Sequence, residues 1–523
     1  MADTRAITVV GLGPGRWEDL TIEARDTLAA ARRVICRTTR HPTVDALREW
    51  RPDLEITSFD DLYETTTSFA ELYPTMARLL LERAAAAPAG EPLIYATPGH
   101  PLMGEESVRI LRMEAAAHGV DVRVVAGLSF IEPVCAALDL NPLERDLQLI
   151  DATALMATSA EAVMGVLLPT KPALIAQIYN RRLASGVKLA LGELYPEDWT
   201  VTLAQWAGLP DREIVRSIPL YELDRDESAD HLTTLYVPPL EPLAATRAPE
   251  GLRYIVMRLR APDGCPWDRE QTHQSLRRYV LEEAYEVAEA IDELDGTPET
   301  AEKLADELGD LLLQVYLHAE VAYQEDSFHL GDVYQLVSEK LIRRHPHVFG
   351  DVVARDAEHV LRNWEVIKRE ERVARGEAVA HESALRGIPK SAPALYQAYE
   401  LARKAGKVGF RFRDAEGALQ KVIEETRELA EASQTRRDGE APTRAEQDEL
   451  GDVLFALAAL AQQLGIPPEV ALERANIRFR RRFEGMETLA RSRGQALDAL
   501  DAEAWLALWA EAKATTSDEE PES

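Results

Sequence analysis

The sequence predicts a chain of two unlike parts, an α/β region over residues 1–238 and an all-α region from Gly251 onward. Three observations predict it. Before residue 240, short β-branched runs alternate with Ala- and Leu-rich helical patterns, the signature of an α/β domain around a sheet. The stretch from Val237 to Gly251 is rich in proline and lacks periodicity, so 239–250 reads as an interdomain linker. Beyond it strand signals nearly vanish and long amphipathic patterns take over.

The strand candidates, in order, are Ala6–Val10, Arg33–Cys36, Pro92–Ala96, Asp121–Val125 and Lys188–Leu191. In the all-α part a helix is expected over Ser275–Leu294, where Leu276, Val280, Val287, Ile291 and Leu294 make one apolar stripe. This part contains an internal repeat. Leu281-Glu-Glu-Ala-Tyr-Glu286 recurs as Ile423-Glu-Glu-Thr-Arg-Glu428, and Asp306-Glu-Leu-Gly-Asp310 recurs as Asp448-Glu-Leu-Gly-Asp452. Both pairs share one offset of 142 residues, which points to two related helical modules, 251–375 and 376–511. Residues 512–523, ending in the small acidic run Thr515–Ser523, are expected to be disordered.

Composition narrows the function. The chain carries 90 acidic and 59 basic residues, net −31, which argues against general nucleic-acid binding. Cys36, Cys135 and Cys265 have no ligand spacing, which excludes a disulfide framework and a zinc module. The richest apolar run, Val453–Pro468, is broken by Gln462, Gln463 and two prolines, so no membrane span is expected. With no signal-peptide layout at Met1-Ala-Asp-Thr-Arg-Ala, a reducing, cytoplasmic setting is expected.

The repeated acids carry the chemistry. Glu283 falls where the apolar stripe needs a residue between Val280 and Val287, and a core-facing carboxylate is costly without a partner. Glu286 lies one turn on, Glu282 is adjacent, and Glu307 and Asp310 form another pair beside the stripe Leu304, Leu308, Leu311 and Val315. Packing the two helices antiparallel gathers these acids, and a divalent cation with oxygen ligands neutralises them; Mg2+ is the natural choice because it pairs with substrate phosphates. Each acidic set is followed by a basic run, Lys340 to Phe349 with Arg343 and Arg344, and Asn476 to Phe483 with Arg478, Arg481 and Arg482. Beside a metal–carboxylate cluster such runs read as a phosphate clamp, and Lys404 and Lys407 are placed with them as phosphate- or nucleotide-binding residues.

These motifs, with Arg260-Ala-Pro-Asp-Gly-Cys-Pro-Trp-Asp268, resemble the MazG-type nucleoside triphosphate pyrophosphohydrolases over about Gly251–Glu511. The resemblance implies tandem all-α modules, commonly dimeric, that release pyrophosphate and a nucleoside monophosphate with Mg2+ or Mn2+. It implies that Glu282, Glu283, Glu286, Glu307 and Asp310 hold metal in the first module, and Glu424, Glu425, Glu428, Glu449 and Asp452 in the second. Glu283, Glu286, Glu425 and Glu428 are the implied catalytic groups, with the second module favoured as the main catalyst. The family's Asn-x-Lys-Phe reads Asn476-Ile-Arg478-Phe479 here, and its Val-Gly-Phe-Asp-Trp reads Val408-Gly-Phe-Arg-Phe412.

At the N-terminus Ile7-Thr-Val-Val-Gly-Leu-Gly-Pro-Gly15 is a strand running into a glycine-rich turn. Tyr95 to Met103 and Val125 to Ile131 are similar strand-to-loop junctions, where ligands bind in such sheets. Together they resemble the tetrapyrrole methylases, and with Leu220–Arg225 and Leu232–Pro239 the whole chain resembles the YabN-type fusion of that domain to MazG modules. The resemblance implies two α/β lobes with S-adenosylmethionine in the cleft, held by Gly11, Gly13, Pro14, Gly15, Gly99, His100, Pro101, Met103, Gly127 and Ser129. The family's Gly-Asp-Pro reads Gly99-His-Pro, and its Gly-Ile-Thr-Ser reads Gly127-Leu-Ser-Phe. The methyl acceptor stays open. So do two other readings, a methyltransferase and a nucleotide sensor, in which the helical half is a dimerisation scaffold.

Overall fold

The computed structural model describes residues 5–515 except 67, 89, 157–162, 164, 226–228, 354, 375–382, 390–391, 435–442 and 497–499. Strands β1 (Arg5–Gly11), β2 (Arg33–Cys36), β3 (Glu55–Ser58), β4 (Leu93–Thr97) and β5 (Val120–Val125) form a parallel sheet in the order β3-β2-β4-β1-β5. Helices α1 (Ile22–Ala30), α2 (Pro42–Trp50), α3 (Phe69–Ala86) and α4 (Glu106–Ala115) follow the first four strands. Strand β1 is buried on both faces: Ile7 and Val9 pack with Met76, Leu80 and Leu111, while Val10 joins Leu28, Val34 and Leu47. This is why it reads as a continuous apolar run rather than an alternating one. The order reverses beside β1, so the loops after β1 and β4 open at the switch point, where open parallel sheets take ligands. The edge strand β3, Glu-Ile-Thr-Ser, is only half-buried and too polar to stand out in the sequence.

Helix α5 (Ile131–Ala137) leads to a second sheet of β6 (Gln148–Asp151), β7 (Ala173–Ala176), β8 (Thr200–Gln205), β9 (Ile214–Pro219) and β10 (Thr233–Val237). Its order is β6-β7-β10-β8-β9, with β6 and β7 parallel and the other pairs antiparallel. The expected strand Lys188–Leu191 is instead the end of helix α6 (Arg181–Gly192). Leu183, Ala184, Val187, Ala190 and Leu191 are buried at helical spacing, and the Asn180 side chain caps the start by accepting from Leu183 N at 2.9 Å. The proline-rich segment has no helix or strand before Ala248, yet it is packed, with Leu240, Ala245 and Ala248 buried in the core around α6.

From there the described residues are helical, with no strand. The longer helices are α7 (Pro249–Leu259), α8 (His273–Asp292), α9 (Pro298–Gln324), α10 (Leu330–Arg344), α11 (Ala357–Ala374), α12 (Ala394–Lys407), α13 (Ala415–Ser433), α14 (Arg444–Leu464), α15 (Pro468–Ser492) and α16 (Ala502–Thr515). The helix expected at Ser275–Leu294 is α8. Its stripe is covered only at one end: Leu276 is buried, but Ile291 is 52% and Leu294 43% exposed. Helix α14 starts on a Thr443–Glu446 capping box and stops at Gly465, whose φ of 71° only glycine adopts readily. Of the tail, residues 512–515 end α16 with Ala512 fully buried, and 516–523 lie outside the described residues.

The chain divides into two compact units, Met1–Asp292 with Glu302–Leu330, and Glu293–Ala301 with Gly331–Ser523. Among the described residues, no single helix is long and apolar enough to cross a membrane.

Candidate metal, nucleotide and cofactor sites

Helices α8 and α9 run antiparallel, as the descending pairs His273 with His318, and Glu283 with Gln314 and Asp310, show. The turn of α8 that carries Glu283 thereby meets the turn of α9 that carries Glu307 and Asp310. One carboxylate oxygen from each of the three lies within 4.8 Å of the others. Burial, a hydrogen bond with Glu286, and the charges of Asp310, Glu286 and Glu282 push the Glu283 carboxyl up to about 6. Glu307 is raised too, by burial and by Glu286, Asp306 and Asp310, against a small opposing effect of Lys303. Gln314, which the sequence reading passed over, is 6% exposed and donates from Nε2 to Glu283 Oε1 at 3.4 Å. Its own Oε1 is buried without a partner. A polar residue one turn beyond Asp310 on the apolar stripe was the available signal.

The second module repeats the arrangement with a difference. Glu425, Glu428 and Glu449 converge within 4.8 Å, and Glu425 is 7% exposed. Asp452 is exposed and outside this group. Glu428 is raised by burial and by the charges of Glu425 and Glu449, with Lys421 opposing. Lys421 is a second group the sequence reading missed, its Nζ 2.8 Å from Glu424 Oε1 and 2.7 Å from Glu425 Oε1. The equivalent position 142 residues earlier is Tyr279, so only the second cluster carries an internal cation there. Both clusters are all-oxygen carboxylate sets under mutual repulsion. That donor chemistry fits a hard divalent ion such as Mg2+ or Mn2+, which takes oxygen ligands and relieves the repulsion.

The expected clamp residues stand in different situations. Arg343 and Arg344 both bond Glu371 of α11, at 2.7 and 2.8 Å, and that pairing holds the Glu371 carboxyl down to about 2. Lys404 donates to the Arg386 carbonyl. Lys340, Lys407, Asn476, Arg478 and Arg481 are exposed, and Arg482 is half-buried. In the Arg260–Asp268 motif the arginine is structural. Arg260 is 7% exposed and bonds Gln324 Oε1 at 3.0 Å and the carbonyls of Asp268 and Gln271, which ties the end of α7 to α9.

In the α/β half the three loops at the switch point meet backbone to backbone. A Cβ on Gly127 would lie 2.5 Å from Gly99 O and 3.0 Å from Gly11 Cα, and Gly13 and Gly99 pair through N–H···O bonds in both directions. Gly11, Gly13, Pro14 and Gly15 are all buried, so these glycines serve the chain's own close approach. Ser129 is 4% exposed and donates both its N–H and its hydroxyl to Glu132. What faces outward is the Gly99–Gly104 loop. There His100 Nδ1 accepts from Leu102 N, Pro101 is buried, and Leu102 and Met103 are exposed. Gln177 of the second lobe approaches the same loop at Gly104. A cavity of about 380 Å3 lies nearby, lined by Arg16, Leu128, Glu132 and Glu213 among others.

The fold and sites define an enzyme that joins a methylase domain to a nucleotide pyrophosphohydrolase. Residues 6–224 match the family model of tetrapyrrole (corrin/porphyrin) methylases, and 271–349 match that of the MazG nucleotide pyrophosphohydrolase domain. The uncharacterized protein YabN of Bacillus subtilis is 39% identical over 97% of this chain and 98% of its own length. A nucleoside triphosphate pyrophosphohydrolase of Escherichia coli K12 is 40% identical over 50% of this chain and 96% of its own length. A uroporphyrin-III-C-methyltransferase structure from Thermus thermophilus aligns with a TM-score of 0.34 at 20% identity, over 47% of this chain and 99% of that one. The chain belongs to the YabN family of fused tetrapyrrole-methylase and MazG proteins.

Proposed function

We propose that this chain hydrolyses nucleoside triphosphates to nucleoside monophosphates and pyrophosphate with Mg2+ or Mn2+, and that its α/β half binds S-adenosylmethionine. The observation that supports the first part is the recurrence, 142 residues apart, of a converging carboxylate group in which burial and neighbouring carboxylates raise Glu283 and Glu307 in one module and Glu428 in the other. Two such groups are costly to fold around unless a cation compensates them. Glu283, Glu307 and Asp310 would hold it in one module, and Glu425, Glu428 and Glu449 in the other. The ion supplies charge neutralisation at the phosphates. Glu286, hydrogen-bonded to Glu283, is the carboxylate that would orient a water and take its proton in the first module; Glu428, at the matching sequence position, lies instead among the group that would hold the ion in the second. The names of the Escherichia coli relative and of the MazG family support the same substrate class.

The exposed Leu281, Tyr285, Ile291, Leu308 and Leu312 on α8 and α9 support a homodimer through the helical modules, whose boundaries we place at 251–375 and 376–511. In the α/β half, Leu102, Met103 and Gln177 around the Gly99–Gly104 loop support a cofactor in the cleft, where methyl transfer needs alignment and water exclusion.

The test is pyrophosphate and nucleoside monophosphate release from a panel of triphosphates with Mg2+, in wild type, Glu286→Gln, Glu428→Gln and the double variant. Loss in the double variant is expected, and the single variants show which module works. No release from any triphosphate would overturn the hydrolase and leave the scaffold and sensor readings.

A further inference from the structure

A second cavity in the α/β half, of about 510 Å3, lies between the loop after β2 and the loop after β8. Small-molecule sites span roughly 300–1,000 Å3, so its size suits a ligand. One wall is the N-terminus of α2. Its cap residue, His41, makes no side-chain capping bond, and Pro42 opens the helix. His41 is 4% exposed and its Nδ1 is buried without a partner, as is the Thr43 hydroxyl one residue into the helix. Pro42 has no N–H and the Val44 N–H bonds the His41 carbonyl at 2.9 Å, so the helix start can offer an anion the Thr43 N–H beside the unpartnered His41 imidazole.

The charges agree. Burial first, and then neighbouring Arg37 and His231, lower the His41 pKa to about 3, so the imidazole is neutral. Arg40 and Arg212 stand at the rim with Asp45 and Asp211. Among the described residues the Arg40 guanidinium is tethered to exposed Glu64 at 2.9 Å, and Asp45 is engaged by Arg48 at 3.2 Å. Exposed pairs of this kind are weak, so Arg40 is free to exchange Glu64 for a ligand.

The opposite wall is aromatic. Trp206 lies in the left-handed region with φ 54°, a conformation an aromatic side chain rarely adopts and glycine would adopt freely. Such strained positions persist where surrounding structure holds them, and they cluster at ligand sites. The Arg212 guanidinium sits 5.0 Å above the Trp206 ring, and His231 meets the ring edge-on at 5.9 Å.

We propose that this cavity binds a small anion carried on a planar ring, of the size and class of a nucleoside monophosphate. The anionic group sits at the start of α2 between Arg40 and Arg212, and the ring lies against Trp206. The site is separate from the carboxylate clusters and needs no divalent ion.

Isothermal titration of the full chain in EDTA, with AMP, adenosine and inorganic phosphate as probes, tests it. AMP is expected to bind saturably, with adenosine and phosphate each at least about tenfold weaker, because each lacks one of the two contacts. Arg212→Ala and Trp206→Gly should each weaken AMP about tenfold; Arg212 is exposed, and at half-buried Trp206 glycine relieves the left-handed φ, so the fold is expected to survive. Absence of saturable AMP binding overturns the proposal, and so does phosphate binding as tight as AMP. AMP affinity unchanged in both variants places the nucleotide elsewhere and overturns it as well. Because EDTA silences the clusters, failure here is distinct from failure of the hydrolase reading.

Discussion

Substitution of Gly127 by alanine is the sharpest probe of why the glycine-rich loops are glycine-rich. The new Cβ would sit 2.5 Å from Gly99 O and 3.0 Å from both Gly11 C and Gly11 Cα. These are backbone atoms at the ends of β4 and β1, so no side chain can swing aside; the strand ends must separate. Overpacking costs about 1–3 kcal/mol, and a clash with backbone on two sides belongs at the upper end, about 3 kcal/mol. Gly192→Ala is the control, because nothing lies within 4 Å of its added Cβ at the end of α6. That change should be neutral or stabilise by up to about 1 kcal/mol. Hydrogen exchange on the full chain reads the two regions separately. Peptides covering β1 and β5 should exchange about a hundredfold faster in Gly127→Ala, since each 1.4 kcal/mol is about tenfold. Gly11→Ala alone should act similarly, with its Cβ 2.7 Å from Gly127 N, and the double variant should cost less than the sum because both open one gap. Unchanged exchange in Gly127→Ala would refute the packing account and return these glycines to a ligand-contact role.

Two further outcomes follow from the helical region. Glu283 is raised to about 6, so without a cation its contribution to stability falls as pH rises from the ordinary carboxylate range through 6. In EDTA at pH 7, Glu283→Gln should therefore raise the melting temperature while reducing the further rise that Mg2+ gives wild type, the second cluster supplying what remains; a lower melting temperature would contradict the repulsion argument. Arg260→Lys loses the planar fork that holds Gln324 and two carbonyls together, and should cost about 2–4 kcal/mol at roughly 1 kcal/mol or more per bond, seen as faster exchange in α7 and α9.

Much was legible in the sequence because the signals were local. Strands β1, β2 and β4 are apolar runs with most residues buried, β5 shows the alternating Val-Asp-Val-Arg pattern of an edge strand, and the 142-residue repeat marked both acidic groups before any fold was known. Lys188–Leu191 misled because a short apolar run does not distinguish strand from helix; the Asn180 cap and the spacing back to Leu183 do. Proline content and lost periodicity marked 239–250 as a segment without helix or strand before Ala248, but not that Leu240, Ala245 and Ala248 would be buried.

What only the tertiary structure decided is which groups meet. Sequence placed Glu283, Glu307 and Asp310 on two helices, but convergence of their oxygens follows from the antiparallel register of α8 and α9. Gln314 beside Glu283, and Arg343 and Arg344 engaged by Glu371, are likewise contacts between elements, whereas Lys421 with Glu425 is an i, i+4 pair on one helix that spacing could have found. The glycines were visible from the first, but their reason was not. A glycine that admits a ligand and one that admits a neighbouring backbone look identical until the third loop, Gly127, is placed against Gly11 and Gly99.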